Sequence, residues 1–313
     1  MLRRIFILSL ISLIFIGITG CNKKEKPKNV SLEKIEIIEE TINPPQKEPL
    51  RISVGSMATP MIGFAYYFQL FDYIENKLGK PVKFVSQNKY QESHINLKSG
   101  NIDVAFVCSR PYVNGHDEFG LELLAAPQVN GKTIYYSYII VPINSPIKNL
   151  EGLRGKTFAF ADPMSNSGKL VPTYMLAKIG ETPDTFFKRY FYTFAHDKSI
   201  KAVAEEIADG AAVDSLIWDY INNVNPELTS KTKVIEKSAP YGIPPVVVRP
   251  GIDPETKEKL RQIFLNLHKD EKGREILKGM MIDKFVVIED SAYDSIRDIQ
   301  RQVAKHKEEK HKH

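Results

Sequence analysis

Short strand-like segments alternate with segments of helical periodicity along almost the whole chain after Leu50. This alternation restricts the fold more than any other feature of the sequence. The run Asp103–Val107 (DVAFV) has the pattern of a buried strand, whereas Phe64, Phe71 and Leu78 recur at helical spacing. Alternating strands and helices predict an α/β fold, in which parallel sheets are covered by helices on both faces. A chain of 313 residues is long enough for two such units.

The residues that follow each predicted strand are the first candidates for a binding site, because ligands of parallel sheets bind beyond the carboxyl ends of the strands. The predicted strand Thr157–Ala161 leads into Ser165, Asn166 and Ser167, which stand where a helix is predicted to begin. Hydroxyl groups and backbone N–H groups at a helix start suit an oxyanion. Ser and Asn are also the preferred helix caps, so this loop alone leaves both interpretations open.

Three more loops place polar residues at the same predicted edge. His196 follows the strand 190–194, Asp214 follows the strand 211–213, and Ser109 with Arg110 follows the run DVAFV. A histidine at this position can donate to an anion and share a proton with it near pH 7. The alternative is structural: His196 packs or caps, Asp214 caps a helix, and Arg110 points to solvent.

Two tyrosines extend the set of candidates. Tyr90 opens a predicted helix, and Tyr135 lies in a predicted strand, Ile134–Val141. A phenol donates to an oxyanion while its ring covers an apolar substituent. Tyrosine is frequent in this chain, with 14 in all, so simple packing is the competing interpretation.

The chain begins with a segment that predicts export. Residues 1–20 combine a positive start with an apolar run of about 14 residues and small residues before Cys21, a pattern typical of a bacterial lipoprotein signal peptide. An uncleaved anchor helix is the alternative. Residues 21–50 are rich in Lys, Glu and Pro without an aromatic residue, which predicts a flexible tether from lipidated Cys21. Residues 305–313 are expected to form a charged, frayed tail.

The distribution of charge argues against a nucleic-acid partner. Of the formal net charge of +5, the leader and the tail each account for +2 and the tether for zero, so residues 51–304 keep about +1. A nucleic-acid-binding surface concentrates positive charge in the folded body. The only cysteines are Cys21 and Cys108, so no disulfide is expected within the body.

Several motifs occur in an order that resembles a known family. They are Asp103–Tyr112 (DVAFVCSRPY), Thr157–Pro172 (TFAFADPMSNSGKLVP), Ala211–Leu216 (AAVDSL), Ser238–Pro245 (SAPYGIPP) and Met281–Val286 (MIDKFV). Across residues 51–300 the sequence resembles the phosphate, phosphite and phosphonate substrate-binding proteins of ABC transporters. The Asp-Pro-x-Ser-x-Ser-Gly-x-Leu-Val-Pro run is the most specific part of this resemblance.

The resemblance implies a type II periplasmic-binding-protein fold, with two α/β lobes joined by two crossing strands and a ligand cleft between them. One lobe is expected to comprise residues 51–140 plus 245–304 and the other residues 141–244. The crossings are expected near Tyr138–Pro142 and Tyr241–Val247.

The resemblance also implies roles for particular residues. One lobe is expected to hold the oxyanion at the helix start and through a His and an Asp, and two Tyr are expected to close over it. These residues are Ser165, Asn166, Ser167, His196 and Asp214, with Tyr90 and Tyr135. The sequence departs from the family where Asn166 replaces a common Thr and where Arg110 replaces a small residue. No cofactor, metal or catalytic residue is expected.

The expected function is that of a lipid-anchored, monomeric receptor outside the cytoplasm that delivers a phosphorus oxyanion to an ABC permease and ATPase. Asp214 favours an oxyanion that carries a proton over sulfate, because a buried carboxylate repels a fully deprotonated anion. A sensory receptor of the same fold, passing ligand occupancy to a membrane histidine kinase or chemoreceptor, is the closest alternative. A more remote one is a hydrolase that uses Ser165 or Ser167 with His196 and Asp214.

Overall fold

The computed structural model describes residues 48–55 and 64–311 of the chain. The predicted signal peptide, Cys21 and the tether up to residue 47 lie outside the described residues, as do the last two residues of the tail. Within 48–55 and 64–311, no helix combines the length and the apolar character needed to cross a bilayer.

The first of two large sheets has six strands in the order β13-β4-β12-β3-β1-β2. Its strands come from two separate parts of the chain, one before and one after the second sheet. They are β1 (Leu50–Val54), β2 (Val82–Phe84), β3 (Val104–Phe106), β4 (Glu122–Gln128), β12 (Val246–Val248) and β13 (Lys284–Val286). Strands β2 and β3 both run parallel to β1, as the alternation of strands and helices predicts.

The second sheet has five strands in the order β10-β6-β9-β7-β8. All five come from the middle of the chain. They are β6 (Ser137–Pro142), β7 (Thr157–Phe160), β8 (Arg189–Tyr192), β9 (Gly210–Asp214) and β10 (Thr232–Lys237). Strand β7 runs parallel to its neighbours β8 and β9.

The chain passes between the two sheets twice, and the two passages pair with each other. Strand β5 (Ile134–Tyr135) and strand β11 (Tyr241–Gly242) form a small antiparallel ribbon. Each passage then enters the next sheet from the edge that faces the other sheet. For this reason β6 runs antiparallel to β9, and β12 runs antiparallel to β3. The first crossing therefore lies upstream of the predicted 138–142, and the two sheets are mixed rather than wholly parallel.

The predicted single strand Ile134–Val141 is two strands separated at Tyr136. The backbone N–H of Tyr136 donates to Ser215 Oγ at 3.0 Å, and the Tyr136 carbonyl accepts from the Ser215 N–H at 3.0 Å. These two bonds join Tyr136 to the end of β9 rather than to the ribbon. Sequence periodicity does not reveal such a break, because its cause lies 79 residues away.

Helices cover both faces of each sheet. The longer ones are α1 (Phe64–Leu78), α2 (Tyr90–Lys98), α3 (Ser109–Phe119), α6 (His196–Ala204), α7 (Ser215–Val224), α9 (Pro254–Asn266), α10 (Glu271–Met280) and α11 (Asp294–His311), and the shorter ones are α4 (Val171–Ala177), α5 (Pro183–Phe186) and α8 (Pro226–Thr229). Strand β12 shows how one strand serves both faces. Val246 and Val248 belong to one buried cluster, and Val247 belongs to the cluster on the opposite face.

The expectation of a frayed tail is wrong for residues 305–311. Helix α11 continues through them to His311, and His306 Nε2 lies 3.2 Å from the Glu181 carbonyl. Glu181 follows α4, so the end of α11 reaches the part of the chain that contains the second sheet. The expected division into lobes of residues 51–140 plus 245–304 and 141–244 stays a prediction.

An ion-pair cluster ties the first sheet together at Asp103. Its carboxylate accepts from the backbone N–H and the guanidinium of Arg51, with Nη2 to Oδ1 at 2.7 Å, and from Arg249 Nε at 2.8 Å. Burial alone would raise the pKa of Asp103, but the hydrogen bonds from the two arginines outweigh it and hold the pKa below its usual value. One carboxylate thus joins β1 to the segment that follows β12.

Replacing Asp103 is expected to lower stability sharply. In Asp103→Ala, Arg51 and Arg249 lose their shared counter-charge, and the free energy of unfolding in urea should fall by about 3 kcal/mol. The matched control is Asp298→Ala, which removes an exposed partner of Arg301 and should change stability by less than about 0.5 kcal/mol. Equal effects of the two substitutions would contradict the role of Asp103.

Candidate functional site

The loop after β7 forms an unusually wide helix start. The Leu170 N–H donates to the Ser165 carbonyl at 3.0 Å, five residues back, before α4 continues as an ordinary helix. Wide turns of this kind occur frequently at functional sites. The Ser165 hydroxyl caps the turn by accepting from the Gly168 N–H at 2.9 Å. The capping interpretation is therefore correct for Ser165, whose hydroxyl still retains its own proton to donate.

Gly168 permits the closest approach between this turn and α6. A Cβ atom at position 168 would lie 2.5 Å from Ala161 Cβ and 2.9 Å from His196 Cε1. Only glycine fits between these neighbours without displacement. The turn that carries Asn166 and Ser167 consequently packs directly against His196.

All seven residues predicted to bind a ligand are almost completely buried. We call them the anion pocket: Tyr90, Tyr135, Ser165, Asn166, Ser167, His196 and Asp214. Direct hydrogen bonds join two pairs of them. Asn166 Nδ2 donates to Tyr135 Oη at 3.0 Å, and the Asp214 N–H donates to His196 Nδ1 at 3.1 Å. Tyr90 lies within electrostatic reach of Tyr135 and Asp214, since both raise its pKa.

Four polar atoms of the anion pocket have no hydrogen-bond partner within residues 48–55 and 64–311. They are Tyr90 Oη, Asn166 Oδ1, Ser167 Oγ and His196 Nε2. Leaving a polar group buried without a partner costs about 1–3 kcal/mol. Four such atoms among these seven residues make this the candidate site for a polar ligand.

The contact between His196 and Asp214 fixes the tautomer of the histidine. Because Nδ1 accepts a hydrogen bond from the Asp214 backbone, the ring proton must be on Nε2, the atom without a partner. Burial lowers the pKa of His196 to about 3, so the ring is neutral at physiological pH. His196 is thus a neutral donor of one hydrogen bond, and the expected sharing of a proton with an anion near pH 7 stays a prediction.

Asp214 serves both as a helix cap and as a wall of the pocket. Its Oδ1 accepts from the Leu216 N–H at 2.7 Å at the start of α7. Burial raises the pKa of Asp214 to about 7, against the opposing effect of the backbone N–H groups. Near neutral pH this carboxyl can hold a proton or accept one, depending on the group opposite it.

The two tyrosines reach the pocket from different elements. Tyr90 is the first residue of α2, whereas Tyr135 lies in the crossing ribbon, paired with Tyr241. Burial raises the pKa of both Tyr90 and Tyr135 well above the usual value, so both remain neutral phenols that can donate. Cys108 Sγ lies 3.9 Å from Tyr135 Oη, and burial raises the pKa of this thiol.

Ser109 and Arg110, the two further candidates, use their side chains to hold elements together. The Ser109 hydroxyl donates to the Gly242 carbonyl in the ribbon at 2.6 Å. Arg110 Nη1 donates to the Pro163 carbonyl at 3.0 Å, across to the loop after β7. Burial lowers the pKa of Arg110. A direct role of either residue in binding stays a prediction.

Sequence reasoning did not select Asp162 and Ser137, and both support the pocket. Asp162 Oδ1 accepts from the Met164 N–H at 2.7 Å, and its Oδ2 accepts from the Tyr90 N–H at 3.3 Å. The Ser137 hydroxyl donates to the Ser167 carbonyl at 2.7 Å. The position of Asp162 directly after a strand was a usable signal. Ser137 offered no such signal, because it lies within the predicted strand Ile134–Val141.

The described residues contain no group of three or more His, Cys, Asp or Glu side chains arranged to hold a metal ion. The seven residues of the anion pocket themselves present neutral donors and a few acceptors. Donors are available from Ser167, His196 and the two phenols, and acceptors from Asp214 and Asn166. Such a mixture suits a small oxyanion that retains a proton.

Comparison with known proteins points to one family. The profile of the family described as "ABC transporter, phosphonate, periplasmic substrate-binding protein" matches residues 52–293, which is more than half of the chain. The phosphonates-binding periplasmic protein of Escherichia coli K12 is 28% identical over 212 residues, covering 66% of this chain and 62% of that protein. The matched region thus spans a little under two thirds of that relative's length.

Solved structures show the same fold. A binding protein component of an ABC phosphonate transporter from Pseudomonas aeruginosa superposes with a TM-score of 0.78 at 24% identity, covering 83% of this chain and 88% of that chain. PhnD1 from Prochlorococcus marinus, in complex with methylphosphonate, gives a TM-score of 0.74 at 20% identity. The match covers 82% of this chain and 98% of that chain. The expected type II periplasmic-binding-protein fold is confirmed.

The raised pKa of Asp214 predicts a pH-dependent difference in stability. Between its usual pKa of 3.8 and about 7, the folded protein holds a proton that the unfolded chain has released, so Asp214 destabilises the fold as pH rises. Asp214→Asn keeps a capping side chain but cannot ionise. The unfolding free energy of the unsubstituted protein, relative to this variant, should fall by on the order of 3 kcal/mol between pH 4 and 8 in anion-free buffer.

The control for this experiment is Asp253→Asn, at the exposed cap of α9. Hydrogen bonds from Thr256 lower the pKa of Asp253, so its contribution to stability is lost as pH falls, which is the opposite direction. If the difference in unfolding free energy between the unsubstituted protein and Asp214→Asn stays constant with pH, the pKa of Asp214 is not raised.

Proposed function

Because the chain belongs to the family of phosphonate-binding, periplasmic substrate-binding proteins of ABC transporters, we propose that it is an extracytoplasmic receptor that binds a small phosphorus oxyanion and delivers it to an ABC importer. The observation that carries this proposal is the set of four buried, unpartnered polar atoms in the anion pocket, counted within the described part of the chain. An oxyanion bound among them would give each atom a partner.

The ligand is a phosphonate, phosphite or phosphate rather than sulfate. Ser167, the Nε2–H of His196 and the phenol of Tyr90 donate to the oxygens that carry negative charge. Asp214 and the Oδ1 atom of Asn166 accept instead, and they need a ligand with an O–H group. Sulfate has no proton near neutral pH and would leave these acceptors unpaired beside negative charge.

The protein acts by binding and not by catalysis. A hydrolase built on Ser167 would need His196 as a base with a free ring nitrogen facing the serine. Here Nδ1 is occupied by the Asp214 N–H, and the other nitrogen carries the proton. The Asp214 carboxylate caps α7 rather than orienting the histidine. This arrangement favours holding an anion over activating a nucleophile.

The partners follow from the same role. The receptor is a monomer that is tethered to a bacterial membrane through a lipid on Cys21 after removal of residues 1–20. It presents its ligand to a permease and ATPase complex. Ligand binding closes the cleft, because the ligand contacts residues that reach it from both sheets and from the ribbon between them.

Removing the Ser167 hydroxyl should weaken binding without unfolding the protein. Isothermal titration of the full chain with methylphosphonate should show at least about tenfold lower affinity for Ser167→Ala, because a hydrogen bond to a charged group is lost. The matched control is Ser199→Ala. Ser199 is also fully buried, but its hydroxyl lies 2.7 Å from Thr193 Oγ1. The affinity of Ser199→Ala for methylphosphonate should stay within about twofold of that of the unsubstituted protein. Equal losses of affinity in the two variants would argue against a role of Ser167 in binding.

Discrimination against sulfate should depend on Asp214. At pH 7 methylphosphonate is expected to bind at least about 100-fold more tightly than sulfate, since an unmatched buried polar group can discriminate by 10⁴-fold or more. In Asp214→Asn the ratio should fall, because an amide offers sulfate a donor. Sulfate affinity equal to that of methylphosphonate in the unsubstituted protein would sink the proposal.

A further inference from the structure

A second compartment lies beside the anion pocket. It is a cavity of about 390 Å³ between the two sheets, with walls from both of them. Val54 and Phe106, at the ends of β1 and β3, form one side, and Tyr138 and Ile217 form another. Cavities of a few hundred Å³ with mostly apolar walls are the usual size of sites for organic ligands.

Asp214 is the wall that the two compartments share. Asp214 lines the cavity, while its backbone N–H donates to the ring of His196 in the anion pocket. Tyr136, which also lines the cavity, separates Tyr135 of the anion pocket from β6. None of the other six residues of the anion pocket lines this cavity. Asp214 is therefore the residue through which the anion pocket borders this separate space.

Two of the charged groups in the cavity wall, Lys237 and Asp219, interact with each other and with tyrosines of the wall. Lys237 Nζ lies 3.6 Å from the centre of the Tyr136 ring, and its charge lowers the pKa of Asp219 against the larger, opposite effect of burial. The Tyr138 hydroxyl also hydrogen-bonds Asp219. The other two charged lining residues are Lys132, which is exposed, and Asp214, which belongs to the anion pocket. The part of the wall that Lys237 and Asp219 occupy therefore leaves little demand for a charged ligand group.

The remaining wall is apolar and aromatic. It includes Leu216, Ile217, Tyr220, Met280 and Ile282, on α7 and around the end of α10. Aromatic and thioether side chains pack well against rings and branched hydrocarbons. Inorganic phosphate and phosphite have no substituent to place here, and a methyl group would fill only a small part of the volume.

We infer that the ligands of this protein are organophosphonates with a bulky apolar substituent, such as an arylmethyl group, which lies in the cavity next to Asp214. This inference rests on the proposed function, since the phosphonate head must occupy the anion pocket. The cavity then selects among phosphorus oxyanions by the carbon group. Each buried methylene adds about fourfold in affinity.

The test compares methylphosphonate, benzylphosphonate and inorganic phosphate by isothermal titration of the full chain. Benzylphosphonate should bind at least tenfold more tightly than methylphosphonate, and phosphate should bind no more tightly than methylphosphonate. If methylphosphonate or phosphate binds as well as benzylphosphonate or better, the inference fails and the proposed function stands. If none of the three binds, the proposed function fails, and the inference fails with it.

Filling the cavity should remove the preference. In Ile217→Trp an indole occupies space that the substituent needs, and the ratio of benzylphosphonate to methylphosphonate affinity should fall at least tenfold. The matched control is Ile207→Trp, because Ile207 is 55% exposed and does not line the cavity, and its ratio should not change.

Val129→Trp is a second filling variant, in case Ile217→Trp does not fold. Val129 is a half-buried lining residue in the loop between β4 and β5. The Val129→Trp substitution should also lower the ratio of benzylphosphonate to methylphosphonate affinity at least tenfold. An unchanged ratio in a folded cavity-filling variant would overturn the placement of the substituent.

Discussion

The pairing of the two chain crossings is the constraint on which the rest of the fold depends. Tyr135 and Tyr241 face each other in the ribbon of β5 and β11, so the chain leaves the first sheet and returns to it at one place. Each crossing delivers its next strand from the edge that faces the other sheet. In consequence Ser137, the first residue of β6, lies opposite Asp214, the last residue of β9. The carboxyl ends of the parallel strands are thereby directed toward the region between the sheets, and the loops that follow them meet there.

The pocket built in this way offers a ligand mainly neutral donors. Two nearby cations have other contacts, although Arg110 Nε is itself buried without a partner among the described residues. Arg110 bonds the Pro163 carbonyl, and Lys169 Nζ lies 3.8 Å from the centre of the Phe160 ring, where burial lowers its pKa to about 8. An anion in such a site is stabilised by hydrogen bonds and the positive end of the turn that starts α4, in surroundings of low polarity that strengthen both. Selectivity then depends on matching donors with acceptors more than on net charge.

The sequence was sufficient to predict the fold and the pocket residues wherever the signal was local. Ser167, His196 and Asp214 each follow a predicted strand, and one rule about strand ends selected all three as candidates. The break at Tyr136 and the contribution of Ser137 could not be predicted, because both depend on partners distant along the chain. The continuation of α11 past residue 304 was missed for a related reason: its end is held by a contact with Glu181, and composition alone indicated a solvated tail.

The distinction between a structural and a binding role becomes clear once the hydrogen bonds of each atom are counted. Ser165 and Ser167 are two residues apart, equally buried and of the same type. The Ser165 oxygen accepts from the Gly168 N–H within its own turn, whereas the Ser167 oxygen has no partner among the residues that the structure describes. Asp214 has two structural roles, since one of its oxygens caps α7 while its backbone sets the tautomer of His196. Capping at a helix start therefore leaves other polar atoms of the same turn without a partner among the described residues. The capping bonds hold the turn in position, and the atoms left over define what the ligand must supply.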